Sequence, residues 1–327
     1  MKSLRSLALA ATAVAALGAV SPAQAALTAF QTFVGKYGVS TDGWGSTTQA
    51  GVISANVPAG ATVVGAYLYT STFTSATLPG VGGTLNGNAL SYASLGTNNA
   101  GLTAGRMDIT SIIKPLVDGG PGGLYNFNIT ETSSAQDGSA LVVVYQLNSL
   151  AVSTVGILDG FSATTGDSTA INFAQPLDKT APGFFAEMRL GIGFSCCNQK
   201  STITVNGTVI TNEAGNNDDA TESLSNGNLI TVGGDDDAFS PLLPGYGQDK
   251  ERYNLVNQIT NGDTSIGIRT FNPSSDDNIF LAVFHVAGEA GVNTPPPTNR
   301  VPEPGSLALV GLALLGLGAK QRRNARK

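Results

Sequence analysis

Residues 129–147 read ITETSSAQDGSALVVVYQL, and residues 268–286 read IRTFNPSSDDNIFLAVFHV. The two stretches overlay without a gap, so that Asp137 falls on Asp276, and each ends in a run apolar on both faces. An unbroken apolar run of this length marks a strand covered on both faces. Residues 141–145 and 279–286 are therefore expected as central strands. Working outward, MDITSII at 107–113 lies over YNLVNQI at 253–259 and Asn86-Gly87 over Asn206-Gly207. Upstream, GAYLYTSTF at 65–73 lies over AEMRLGIGF at 186–194. The four blocks keep their order, and their offsets of 139, 146, 120 and 121 differ by what loop insertions explain. This is the signature of two copies of one β-sandwich. The Asn-Gly pairs, with Asp118-Gly119 and Asn261-Gly262, supply the positive φ that tight turns demand.

Composition agrees. Charged residues are 12% of the 327, about half the usual ~25%, and there are 41 glycines. Low charge, many β-branched residues and regularly spaced turn formers predict an all-β protein. The expected body is two tandem jelly-roll-like β-sandwich domains, 26–150 and 151–290, the second longer by its acidic loops, followed by a Pro-rich linker at 291–300. The best helical stretch is RMDITSIIKPLVDGG at 106–120, interrupted by Pro115. Between Ala26 and Arg300 stand 10 basic and 22 acidic residues, a net charge of −12. That balance argues against nucleic acid or an anionic lipid surface as partner, since both require a basic face.

The two ends read as addresses. Residues 1–25 have a basic start at Lys2 and Arg5, an apolar centre from Leu7 to Val20 and a small-residue cleavage site at Ala23-Gln24-Ala25, the pattern of a secretory signal peptide. The last segment, 301–327, begins with Pro302-Glu303-Pro304. A 13-residue apolar run from Leu307 to Ala319 follows, then a basic end containing Arg322, Arg323, Arg326 and Lys327. As a helix the run covers about 20 Å against a hydrocarbon core of about 30 Å, a marginal span, and its basic end favours the cytoplasmic side.

In this order the three features resemble the PEP-CTERM sorting signal of Gram-negative, exopolysaccharide-producing bacteria. The resemblance implies passage through the secretion machinery, transient membrane contact through the C-terminal helix, and processing near Pro302-Glu303-Pro304 by an exosortase. It implies an inner-membrane tether before processing and a place in the cell envelope or extracellular matrix, such as a biofilm matrix, afterwards. The body is similar to uncharacterised bacterial surface domains in which a run such as DGSALVVVY (137–145) is followed by a strand, here AVSTVGILDGF (151–161). That likeness carries no catalytic residue.

Chemistry-bearing residues are few. The one histidine, His285, sits in the apolar run 279–286, where a sheet-face role is expected, and no GxSxG, HExxH or phosphate-loop pattern occurs in the body. Cys196 and Cys197, the only cysteines, are adjacent, and in an exported chain they are expected as a vicinal disulfide forming a rigid turn, the alternatives being two free thiols, an intermolecular bridge or a metal held by the two sulfurs. Trp44, in TDGWGS, is either a packed side chain or an indole that stacks on a sugar, with Tyr67 and Tyr69 as further platforms. Residues 213–277 hold 12 acidic and three basic residues, an acidic stretch that is either a solvated surface or a calcium site. Asp218, Asp235, Asp237 and Asp276 are the candidate ligands in the calcium case. The leading expectation is a non-enzymatic structural or adhesive envelope module. The alternatives are an exopolysaccharide-binding protein and a polysaccharide hydrolase built on a carboxylate pair.

Overall fold

The computed structural model describes residues 27–45, 49–72, 78, 81–97, 101–163, 165–193, 201–215, 230–232, 251–272 and 278–296. In the first half, one sheet has the order β2 (Tyr37–Gly45), β10 (Gln136–Gln146), β4 (Thr62–Thr72), β8 (Thr103–Asp108), β7 (Ala93–Thr97). The sheet facing it has the order β3 (Ala50–Val57), β9 (Gly123–Glu131), β5 (Gly82–Leu85), β6 (Asn88–Ser91). With β7 set aside as an added edge strand, the two interleaved sets of four strands are a jelly roll.

The second half repeats the pattern. Its inner sheet runs β11 (Ser153–Asp159), β19 (Asn278–Ala287), β13 (Ala186–Gly193), with β16 (Ile230–Val232) and β17 (Arg252–Asn254) both on the free side of β13. Its outer sheet runs β12 (Asp167–Phe173), β18 (Ser265–Phe271), β14 (Ser201–Val205), β15 (Thr208–Ala214). A short β20 (Ala290–Val292) is added beside β12. The fold is all-β, two β-sandwiches of the same strand order.

The repetition extends to individual bonds. Asn86 and Asn206 both have φ of 47° in the turns before β6 and β15, and the following Gly87 and Gly207 have φ of 79° and 80°, as a two-residue primed turn requires. In each copy the turn asparagine pins the neighbouring strand: Asn128 N donates to Asn86 Oδ1 at 2.7 Å, and Gly267 N donates to Asn206 Oδ1 at 2.8 Å. Ile109 N donates to Ala66 O and Leu255 N to Ala186 O, each at 2.9 Å, so Ala66 and Ala186 are equivalent. That corrects the overlay of 65–73 on 186–194 by one residue, which in a strand exchanges the two faces. Val143 stands opposite Ala66 and Val286 opposite Ala186, so the last strands are displaced by four residues from the gap-free match.

Burial explains the two kinds of strand. The outer strand β18 alternates exposed and buried along its whole length, whereas β13 is buried at every position. The cause is stacking. One core lies between the first pair of sheets, with Leu68, Phe127, Ile129 and Leu141, and another between the second pair, with Met188, Ile203, Ile266 and Phe284. A third joins the inner sheets of the two sandwiches through Tyr69, Val142, Ile157, Phe280 and Val283. Each such side chain contributes about 1.5–3 kcal/mol on burial, so both faces of the inner sheets are held. The described residues fall in one compact unit that ends at Pro296.

Two features depart from the sequence reading. The first strand, β1 (Thr28–Gly35), lies before residue 150 yet pairs with β11 of the second sandwich, from Thr28 opposite Asp159 to Gly35 opposite Ser153. The helix α1 (Thr110–Val117) contains Pro115 instead of ending there, buries Ile113 and Val117, and leaves Leu116 exposed; residues 106–108 belong to β8. At its place in the second copy stands a single 3-10 turn, Val256–Gln258. Among the described residues no helix is long and apolar enough to cross a membrane.

Candidate functional site

Strand β13 carries Glu187 and Arg189 two residues apart, hence on one face, and that face looks toward the first sandwich. Cross-strand pairing sets His285 of β19 opposite Glu187, and Arg252 of β17 opposite Arg189. The four side chains meet. Glu187 Oε1 accepts from Arg189 Nη2 at 2.8 Å and lies 3.4 Å from His285 Nδ1. Its Oε2 accepts from Arg252 Nε at 2.9 Å and Nη2 at 2.7 Å. Arg189 also reaches across to the first sandwich, donating from Nη1 to Thr41 Oγ1 at 2.9 Å. His285 Nε2 lies 3.3 Å from Tyr37 O, and its ring packs 4.5 Å from that of Phe185.

Burial by itself would push the Glu187 carboxyl up. The His285 contact and the two guanidiniums outweigh it and hold the group well below the usual carboxylate range. Glu187 is therefore a fixed anion. Beside the cluster opens a cleft of about 440 Å³. Arg189, Arg252, Glu187 and His285 form one wall, and Phe185, Tyr145, Val39 and Pro58 give it apolar surface. A cleft of this size with a few convergent polar groups suits a small ligand or one side chain of a larger one.

The corresponding face of the first sandwich is built differently. Tyr69 pairs with Arg106 as Arg189 pairs with Arg252, so the two arginines are equivalent. Arg106 ion-pairs with Asp159 of the opposite sandwich, and Tyr69 donates to the same Asp159 Oδ2 at 3.2 Å. Burial raises the carboxyl of Asp159 despite Arg106 and Tyr69, and it raises the Tyr69 hydroxyl well above its ordinary value. The ring of Phe30 from β1 closes this end, its centroid 3.4 Å from the Arg106 guanidinium carbon and 5.0 Å, edge-on, from Tyr67.

The residues singled out from sequence are dispersed. Tyr69 is fully buried and Tyr67 nearly so, between the sandwiches, which removes both as sugar platforms. Trp44 is half-buried in β2 against the first core, lying so close over Gly51 that a Cβ there would be 2.0 Å from its Nε1. Cys196, Cys197, Asp218, Asp235, Asp237, Asp276, Pro302, Glu303 and Pro304 lie outside the described residues. Among the described residues no group of three His, Cys, Asp or Glu side chains gathers as metal ligands would. Of the cluster itself only His285 was singled out. The missed signal was AEMRLGIGF, where Glu187 and Arg189 interrupt a run whose copy carries tyrosines.

Comparison with known proteins is informative at the C-terminus. Residues 300–323 match the model of the PEP-CTERM protein-sorting motif. No curated protein matches the chain. Among solved structures, one similar chain is a β-porphyranase of glycoside hydrolase family 86 from the human gut bacterium Bacteroides plebeius, at 10% identity and a TM-score of 0.23. The alignment covers 83% of this chain and 38% of that one, so the chain spans well under half of its length. Another is the major capsid protein P2 of bacteriophage PM2, at 12% identity and a TM-score of 0.21, with 78% of this chain and 98% of that one covered.

Proposed function

From the premise that the chain carries a PEP-CTERM sorting motif, and is thus an exported protein handled by an exosortase, we propose that its body is a non-catalytic structural or adhesive module. Its place is the cell envelope or the extracellular matrix. The observation that carries this reading is the sorting motif at 300–323, which follows in the sequence a body of stacked sandwiches. The body supports it as well. Its described charged groups, Glu187 with Arg189 and Arg252, and Asp159 with Arg106, tie strands and sandwiches together, as a load-carrying module requires.

The test compares cells that make the protein with cells that lack it, in surface attachment and in cohesion of the matrix under shear. The exported protein is screened in parallel on polysaccharides and esters. Weaker attachment or cohesion without the protein, and no turnover with it, is the expected result. Unchanged attachment and cohesion, or turnover that copurifies with the protein, overturns the reading.

A further inference from the structure

The duplication supplies its own control at one end of the first core. Thr70 stands two residues beyond Leu68 in β4 and shares its inward face. There β10 brings two residues to that face, because a bulge at position 137 sets Gln136 opposite Thr72 and Ser139 opposite Thr70. The second sandwich has the same bulge at position 280, with Ile279 opposite Ile192 and Ala282 opposite Leu190. Since Ala66 and Ala186 are equivalent, Thr70, Gln136 and Ser139 hold the places of Leu190, Ile279 and Ala282. None of the six is more than 2% exposed. The same backbone is thus built with apolar residues in one copy and polar ones in the other. Exchanging a buried hydrogen-bonded pair for apolar groups of similar shape is close to neutral, so hydrogen bonding alone gives the fold no use for the polar set.

We infer that Thr70 and Gln136 join in an intramolecular ester, Thr70 Oγ1 to Gln136 Cδ, which the folded protein forms by itself with release of ammonia. The partners are already in contact. Gln136 Nε2 donates to Thr70 Oγ1 at 3.3 Å, so an oxygen lone pair faces the carboxamide whose carbon it attacks, and the fold replaces a chance encounter by a held one. Thr70 Oγ1 gives its own proton to Gly138 O at 2.9 Å, which leaves its lone pairs to Gln136. Thr132 N donates to Gln136 Oε1 at 3.2 Å, and it stays there to stabilise the negative charge that develops on that oxygen as Oγ1 adds to Cδ. Ser139 is committed elsewhere, donating to Glu131 Oε1 at 3.3 Å, so Thr70 is the nucleophile. In the step the Oγ1–Cδ bond forms, the Cδ–Nε2 bond breaks, and the Thr70 proton passes to Nε2, which leaves as ammonia. Nothing is oxidised or reduced, and no co-reactant enters. Burial then keeps out the water that would hydrolyse the ester. The link ties β4 to β10, the strand that leads on into the second sandwich. It belongs to the body whatever the body's role, so the inference stands apart from the adhesive reading.

Mass spectrometry of the exported protein, unfolded in denaturant, reads the bond directly. The intact mass should lie about 17 Da, one ammonia, below that of the processed sequence. After proteolysis the segments holding Thr70 and Gln136 should travel as one linked pair of peptides, which mild alkali separates because it hydrolyses esters and spares amides. Thr70→Val keeps the shape and removes the nucleophile, so it should show the full sequence mass and no linked pair. Gln136→Met removes the carboxamide and serves if that variant fails to fold, while the wild-type measurement needs no variant at all. Wild-type protein at its full sequence mass, without the linked pair, overturns the inference. A loss of ammonia that persists in Thr70→Val does so too. A loss that maps to Asn86-Gly87 or Asn206-Gly207, where asparagine closes on the backbone with the same change of mass, overturns it equally.

Discussion

Replacing Glu131 by Gln should stabilise the protein above neutral pH and leave it unchanged in acid. Glu131 ends β9 on its inward face, is 7% exposed, and accepts one bond from Ser139 Oγ at 3.3 Å. Burial dominates that single bond and raises its pKa from 4.5 to about 7. A raised carboxyl gives its full stability below the unfolded value and loses it as pH rises through the folded value. The loss therefore runs from about pH 4.5 to about pH 7 and is complete above that. At about 1.4 kcal/mol per pH unit, the charged carboxylate costs on the order of 3 kcal/mol at pH 8. Glutamine has the shape of the protonated acid and stays neutral, so it avoids that cost. Urea unfolding of both proteins from pH 4 to pH 8.5 measures the difference, which should grow from near zero to about 3 kcal/mol. Other titrating groups are common to both proteins and cancel. A difference that does not change with pH, or a variant less stable at pH 8, would refute the reasoning.

Glu187→Gln should act in the opposite sense, costing about 3–5 kcal/mol at neutral pH by leaving Arg189 and Arg252 without their carboxylate. Because its carboxyl is held low, that stability is present above the unfolded value near 4.5 and is lost only as pH falls well below it, so the gap to wild type should persist at pH 5. Equal melting of the two at neutral pH would dismiss the cluster as a structural element. Gly51→Ala would drive a methyl into the Trp44 indole and should cost about 1–3 kcal/mol, with a shift in the emission of the chain's one tryptophan. Unchanged emission and melting would mean that Trp44 does not pack there. Intact-mass analysis of the exported protein should show loss of residues 1–25 and of the segment from about Pro302, whereas Lys327 on the bulk of the mature protein would point to an ordinary membrane anchor.

The sequence by itself determined the features set by local periodicity and turn chemistry. The unbroken apolar runs at 141–145 and 279–286 marked central strands covered on both faces, because a residue's polarity answers directly to whether its face meets water. Asn86-Gly87 and Asn206-Gly207 marked the same turn in both copies, since few residues accept two successive positive φ angles. The repeat, the export signal and the sorting tail were legible for the same reason, as local patterns read in order. Only the tertiary structure decided which faces meet. Nothing in residues 28–35 states that β1 crosses to β11, since its hydrogen bonds are made to a strand more than a hundred residues away. The charged pair on β13 gains its meaning from Arg252 and His285, delivered by two other strands, of which β19 is displaced from the apparent sequence match. A shift of one residue in a strand changes the face, and one of four moves a side chain by about 13 Å. For that reason the cleft, which depends on three registers at once, exists only once the sheets are paired and stacked.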